Sequence, residues 1–245
     1  MAKYNNSPII EAVCEFKFGK DTNWDMTVPG IIYNEIQKEF PHKEQHANQN
    51  INLPTEDTPG EAHINIINMA RFLSKDKKTI IQVGQNTLSI NRLQPYVNWS
   101  EFSSLIQYAF NILSRKVVLN SIQRVGLRYI NRIEIPQKSV ILDDYFKFRP
   151  FFGDELQRNY SGFMVGCMFP FFGGRDSCKV ELTNVVPENK DASAFMLDID
   201  YSLIKPQGIR VEQSLEWVDK AHEEVEKIFE GCISNQLKDL FEEVK

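Results

Sequence analysis

The sequence predicts an α+β fold built from two successive strand–helix–strands–helix units, residues 1–118 and 119–245, packed as one continuous unit. Two such units join edge to edge through their first strands, giving a curved antiparallel sheet with long helices on one face. Three observations predict this. Period-two alternation recurs in short runs separated by turn chemistry. Two long amphipathic stretches at helical spacing close the two halves. The same order of elements appears twice, without any residue-level repeat.

The first strand is read over Pro8 to Phe18. Ile10, Ala12, Cys14, Phe16 and Phe18 share one face, and Glu11, Val13, Glu15 and Lys17 the other. A helix follows, with Thr27 as N-cap, Pro29 in its first turn and Ile31, Ile32, Ile36 and Phe40 as its apolar stripe. Pro41 stops it. His42 to Leu53 reads as a polar edge strand, and Thr55 to Gly60 as a turn or short loop. Ala62–Ser74, Thr79–Val83 and Thr87–Leu93 read as an antiparallel meander, because the charged Lys75–Lys78 and Gly84–Asn86 segments between them suit tight turns. A helix from about Glu101 to Val117 ends the first half, with Phe102, Leu105, Ile106, Ala109, Ile112 and Leu113 on one side.

The second half opens on the stretch of highest interest, Arg124 to Ile135 within a strand over 121–135. Val125, Leu127, Tyr129, Asn131, Ile133 and Ile135 point one way. Arg124, Gly126, Arg128, Ile130, Arg132 and Glu134 point the other, so one face carries three guanidinium groups. Val140–Phe148 then reads as a short helix or irregular turn and Arg149–Asn159 as a loop. Tyr160–Phe169, Cys178–Val185 and Ala194–Ser202 read as strands. Glu212–Glu230 is the last long helix, continued or restarted over Ser234–Phe241. This order is similar to that in the saddle of the TATA-box-binding protein, an analogy of fold that carries no function.

Composition narrows the function. The net charge of −5 and pI of about 5.5 argue against general coating of nucleic acid, which needs a basic footprint. The four cysteines are far apart, without a C-x-x-C, and read as small apolar residues of a reduced chain; a Cys167–Cys178 bridge is not needed. The start lacks an apolar leader core and no run is long enough to span a bilayer, so a cytoplasmic protein with no membrane association is expected.

The chemistry-bearing residues are few. Arg124, Arg128 and Arg132 are the binding candidates, because a planar guanidinium donates bidentately to carboxylate or phosphate. Glu11 and Glu15, on the same face of the neighbouring strand, are their expected ion-pair partners, which would make the row a structural ladder. Tyr129, Asn131 and Tyr201 are candidates to line a pocket between sheet and helices; an Asn satisfied by backbone groups is the competing reading. His42 and His46 have i, i+4 spacing, but a metal pair there needs a helix and a third ligand, so no metal and no cofactor is expected. Asp143 and Asp144 suit a helix start, Asp198 and Asp200 a solvated strand face, and the Phe146–Phe172 aromatics either a cap on the core or a partner patch. No nucleophile elbow, P-loop or zincin motif is present, and no catalytic residue is assigned.

Four stretches carry a resemblance: P-I-I-E-A-V-C-E-F-K-F at 8–18, the 71–99 segment with Q-V-G-Q-N-T-L-S-I-N-R-L, R-V-G-L-R-Y-I-N-R-I at 124–133, and I-S-N-Q-L-K-D-L-F at 233–241. Together they resemble a sporadically distributed, uncharacterised bacterial protein family. The resemblance spans nearly the whole chain and implies a single full-length unit. It implies a link to mobile or defence genes and transfers no activity. Within it, Asn91, Pro95, Tyr96 and Trp99 are expected to be structural, as the turn from meander to helix. The expected function is a non-enzymatic interaction protein that docks a protein partner through its sheet face or its loop aromatics; nucleic-acid binding on the arginine face and a small-molecule enzyme or sensor with a pocket between sheet and helices are the alternatives.

Overall fold

The computed structural model describes residues 3–52, 63–153, 155–156 and 161–244. The expected turn at Thr55–Gly60 lies outside the described residues, as does part of the 149–159 loop. In chain order the elements are β1 (Lys3–Tyr4), β2 (Ile9–Phe18), α1 (Val28–Ile36), β3 (His42–Asn52), β4 (His63–Leu73), β5 (Thr79–Gly84), β6 (Thr87–Leu93) and α2 (Trp99–Lys116). The second half holds β7 (Ile122–Ile135), α3 (Leu142–Tyr145), β8 (Met164–Phe171), β9 (Asp176–Val185), β10 (Ser193–Leu203), α4 (Ser214–Cys232), α5 (Asn235–Leu240) and β11 (Glu243–Val244).

Nine strands form one antiparallel sheet in the order β3-β4-β5-β6-β2-β7-β10-β9-β8. β2 and β7 are therefore central neighbours, with Cys14 opposite Leu127 and Phe16 opposite Val125. The alternation of β7 is realised: Val125, Leu127, Tyr129, Asn131, Ile133 and Ile135 are buried, while Arg128 is exposed and Arg124, Ile130, Arg132 and Glu134 are half-buried. The helices cover the apolar face. Phe16 meets Phe110 of α2 at 4.9 Å between ring centroids, and Tyr201 meets Trp217 of α4 at 5.7 Å. The opposite face, carrying Glu15, Arg128 and Asp198, has no helix over it among the described residues.

Local chemistry explains the boundaries. α2 starts two residues earlier than its apolar stripe predicts, because the Asn98 side chain accepts from Glu101 N at 2.9 Å and caps the first turn. Thr27 stands at the N-cap of α1 as expected. Thr27 makes no side-chain cap; Asp25 Oδ1 instead accepts from Thr27 N at 2.7 Å. β8 begins at Met164 rather than Tyr160 and runs through Phe171, closing on a left-handed turn at Phe172–Gly174. The two-residue β1–β11 pair, which ties the ends of the chain together, is too short to leave a periodic signal. Among the described residues no helix is long and apolar enough to cross a membrane.

The cysteines are free. The register sets Cys167 opposite Val180 and Cys178 opposite Phe169, so the two are diagonal rather than paired. Cys14, Cys178 and Cys232 are buried, and burial pushes the thiols of Cys178 and Cys232 up to about 12. A disulfide-forming thiol reagent should therefore label Cys167 quickly in the folded protein and the other three only after denaturant is added. Fast labelling of Cys14 or Cys178 in the native state would contradict this packing.

Candidate functional site

On the open face, each arginine of β7 meets carboxylates from its neighbours. Arg124 bridges both neighbouring strands. Its Nη1 donates to Glu15 Oε1 of β2 at 3.0 Å, and its Nη2 to Asp200 Oδ2 at 3.1 Å and Ser202 Oγ at 2.6 Å on β10. Gly126 makes this possible. It lies between Glu15 and Ser202 in the register, and a Cβ there would stand 2.7 Å from Arg124 Nη1. The guanidinium thus lies across the glycine and bridges both neighbouring strands.

Arg128 binds Asp198 bidentately, with Nε donating to Oδ1 at 2.8 Å and Nη2 to Oδ2. Its charged form is held by that bond first and by the nearby carboxylates after it, which raises its already high pKa. Arg132 donates to Glu134 Oε1 and to the backbone carbonyl of Val186, both at 2.8 Å, and lies 3.5 Å from Glu188. Glu134 also accepts from Glu188 N, and this backbone bond, with Arg132 second, holds its carboxyl below the ordinary 4.5. Arg132 therefore fastens the β9–β10 turn.

Of the two expected partners, Glu15 pairs as its strand position implies. Glu11 accepts from Asn91 Nδ2 of β6 at 2.7 Å, and acts on Arg128 only through its charge. The chief acceptors of Arg128 and Arg124, Asp198 and Asp200, come from β10. Their shared face was legible in the sequence; their place beside β7 was not, since it depends on which strand follows β7 across the sheet. Five carboxylates, Glu15, Glu134, Glu188, Asp198 and Asp200, now flank the three guanidinium groups.

The pocket candidates lie on the helix-covered face with their polar atoms engaged internally. Asn131 Nδ2 donates to the Leu197 carbonyl at 3.0 Å, the backbone-satisfied arrangement of a buried Asn. Tyr129 OH is 3.1 Å from His222 Nδ1 and 3.3 Å from Tyr96 OH. His222 in turn stacks on Trp99 at 3.9 Å, and its Nε2 lies 2.9 Å from Glu226 Oε1 without the alignment of a hydrogen bond. Tyr201 OH donates to Asp176 Oδ2 at 3.4 Å, an oxygen that also accepts from Trp217 Nε1 at 3.2 Å and from Arg175. Burial raises the pKa of all three phenols, Tyr96, Tyr129 and Tyr201. His222 and Asp176 were missed by the sequence reading, because a lone His on a helix and a lone Asp in a turn carry no spacing signal.

Cavities lie elsewhere among the described residues. One of about 140 Å³ is lined by Thr79, Arg92, Asn98 and Glu101, and one of about 330 Å³ by Phe148, Phe169, Phe171, Ile228 and Cys232. Only the second reaches the lower end of the ~300–1,000 Å³ range of ligand pockets. His42 and His46 fall on the strand β3, not on the helix that an i, i+4 metal pair needs. Among the described residues no group of three or more His, Cys, Asp or Glu side chains is arranged to hold a metal. Compared with known proteins, the chain matches no protein-family model, no curated protein and no solved structure.

The Arg124 bridge makes a sharp prediction. Arg124→Ala strands two part-buried carboxylates and should cost about 1–3 kcal/mol in urea unfolding. Gly126→Ala should destabilise the wild type by displacing that guanidinium, yet cost clearly less in an Arg124→Ala background. Additive losses would mean that Gly126 acts independently of the arginine.

Proposed function

We propose that the protein is a non-enzymatic interaction module that meets a protein partner at the β8 edge of its sheet. The observation carrying this reading is the character of β8. Its eight residues, Met164–Phe171, include no charge, and Met164, Met168 and Phe169 are 72, 69 and 41 % exposed. Natural sheets blunt a free edge with charged side chains. The opposite edge follows that rule, with His42, Lys43 and Glu44 at the start of β3. β8 departs from it, and exposed Phe172 and Phe151 extend the apolar character beyond the strand.

The arginine face supports the same reading by contrast. A phosphate backbone would have to displace carboxylates already bound bidentately or through two strands, and the local balance is acidic. Within the proposal, the row is a ladder that stiffens the sheet and Arg128, with 45 % of its side chain exposed, is its most accessible member. The finer architecture belongs to the same proposal: two related halves meeting at β2 and β7 in a saddle, which the mirrored strand order on either side of that pair supports. Membership of a bacterial defence or mobile-element complex rests on the family resemblance alone.

A tagged pull-down with and without nuclease, comparing wild type with Met164→Lys and Arg128→Glu, tests the reading. Met164 is exposed opposite Thr183, so a lysine there blocks the edge without touching the core. The expected result is a protein partner that survives nuclease, persists with Arg128→Glu and is lost with Met164→Lys. Recovery of nucleic acid alone, lost with Arg128→Glu, would overturn it in favour of the arginine face.

A further inference from the structure

The apolar edge and the larger cavity are parts of one surface. Strand alternation sends Val165, Cys167, Phe169 and Phe171 of β8 toward the helix side of the sheet. There Phe169 and Phe171 form one wall of the 330 Å³ cavity, Phe148 another, and Ile228 and Cys232 of α4 the floor, with exposed Lys147 at its margin. The cavity, to which Val180 of β9 also contributes, thus borders a strand whose outer main-chain groups face no further strand among the described residues. Its volume suits one or two large apolar side chains, and an ammonium group is the charge its margin offers.

From this we infer, building on the proposed interaction function, that β8 receives an extended peptide as a tenth strand. Main-chain bonds to Met164–Phe169 would give affinity; Pro170, lacking an N–H, limits pairing beyond them. Alternate side chains of the peptide reach the same side as Phe169 and Phe171, so a bulky apolar residue enters the cavity. A carboxylate on the peptide pairs with Lys147, which has no acidic partner within 4 Å among the described residues. The occupant is thus an extended acidic segment with apolar residues at every second position. A basic segment is disfavoured by Lys147, and the absence of charge on β8 leaves apolar neighbours unopposed.

The test is selection of a random linear decapeptide library displayed on phage against the full chain under reducing conditions. The strongest selected peptide is then synthesised, and its binding is measured by fluorescence anisotropy and amide hydrogen exchange. We expect alternating apolar residues with at least one acid, and slowed exchange across Met164–Phe169. Gly231→Leu adds bulk at the cavity wall, where a new Cβ meets nothing within 4 Å, and Lys147→Glu inverts the margin charge without touching the core. Each should weaken binding about tenfold or more while leaving the melting temperature near wild type. Selected peptides that protect a different segment would overturn the inference and leave the interaction function standing. A library without enrichment, with decanoate instead bound in a Gly231-sensitive manner, would overturn it in favour of a lipid pocket. A nuclease-resistant partner in the pull-down that ignores Met164→Lys would overturn the edge as the docking place while keeping the module.

Discussion

Everything in this molecule is hung on the antiparallel seam between β2 and β7. The two strands are central neighbours in the sheet and pair from Ile9 opposite Asn131 to Phe18 opposite Ile122. On the helix side the seam stacks Ala12 with Tyr129, Cys14 with Leu127 and Phe16 with Val125, all buried. On the other side it sets Glu15 beside Gly126, so that one guanidinium from β7 can lie over the glycine and reach a carboxylate on each flank. The same pairing thus closes the apolar core and organises the polar face. Without it each half would expose a free inner edge, and the arginine row would lose the acceptor that β2 supplies.

The two outer edges then differ in kind. β3 begins with charged residues, and β8 holds none. The sheet neutralises its centre with ion pairs and leaves one rim apolar, and the proposed docking at that rim follows from this contrast. Contacts at the centre would cost desolvation of charges already paired, whereas contacts at β8 bury Met164, Met168 and Phe169 that are otherwise in water.

Much of this architecture was legible because it is periodic. The inward set of β7, the helical stripe of α2 and the meander from β4 to β6 each repeat a local rule over enough residues to be read. What escaped the sequence was set by neighbours across the sheet. Asp198 and Asp200 share a face that alternation reveals, but only the order β7-β10-β9-β8 makes them partners of Arg128 and Arg124. Glu11 shares a strand face with Glu15, but the Asn91 side chain on β6 gives it another partner. The α2 cap followed the same logic: Asn98 is a single polar residue whose role depends on where the chain turns. The aromatics near 148–172 were visible as a cluster, while their division into cavity wall and exposed rim required the register of β8.

The most direct test of the seam is residue-resolved hydrogen exchange under native conditions. If β2 and β7 bind the two halves into one cooperative unit, the amides of Cys14, Phe16, Leu127 and Tyr129 should open only with global unfolding, and those of β8 should exchange first among the strands of the second half. Seam amides that exchange faster than those of β5, β6 and β10 would show two halves that part before they unfold, and would contradict the account.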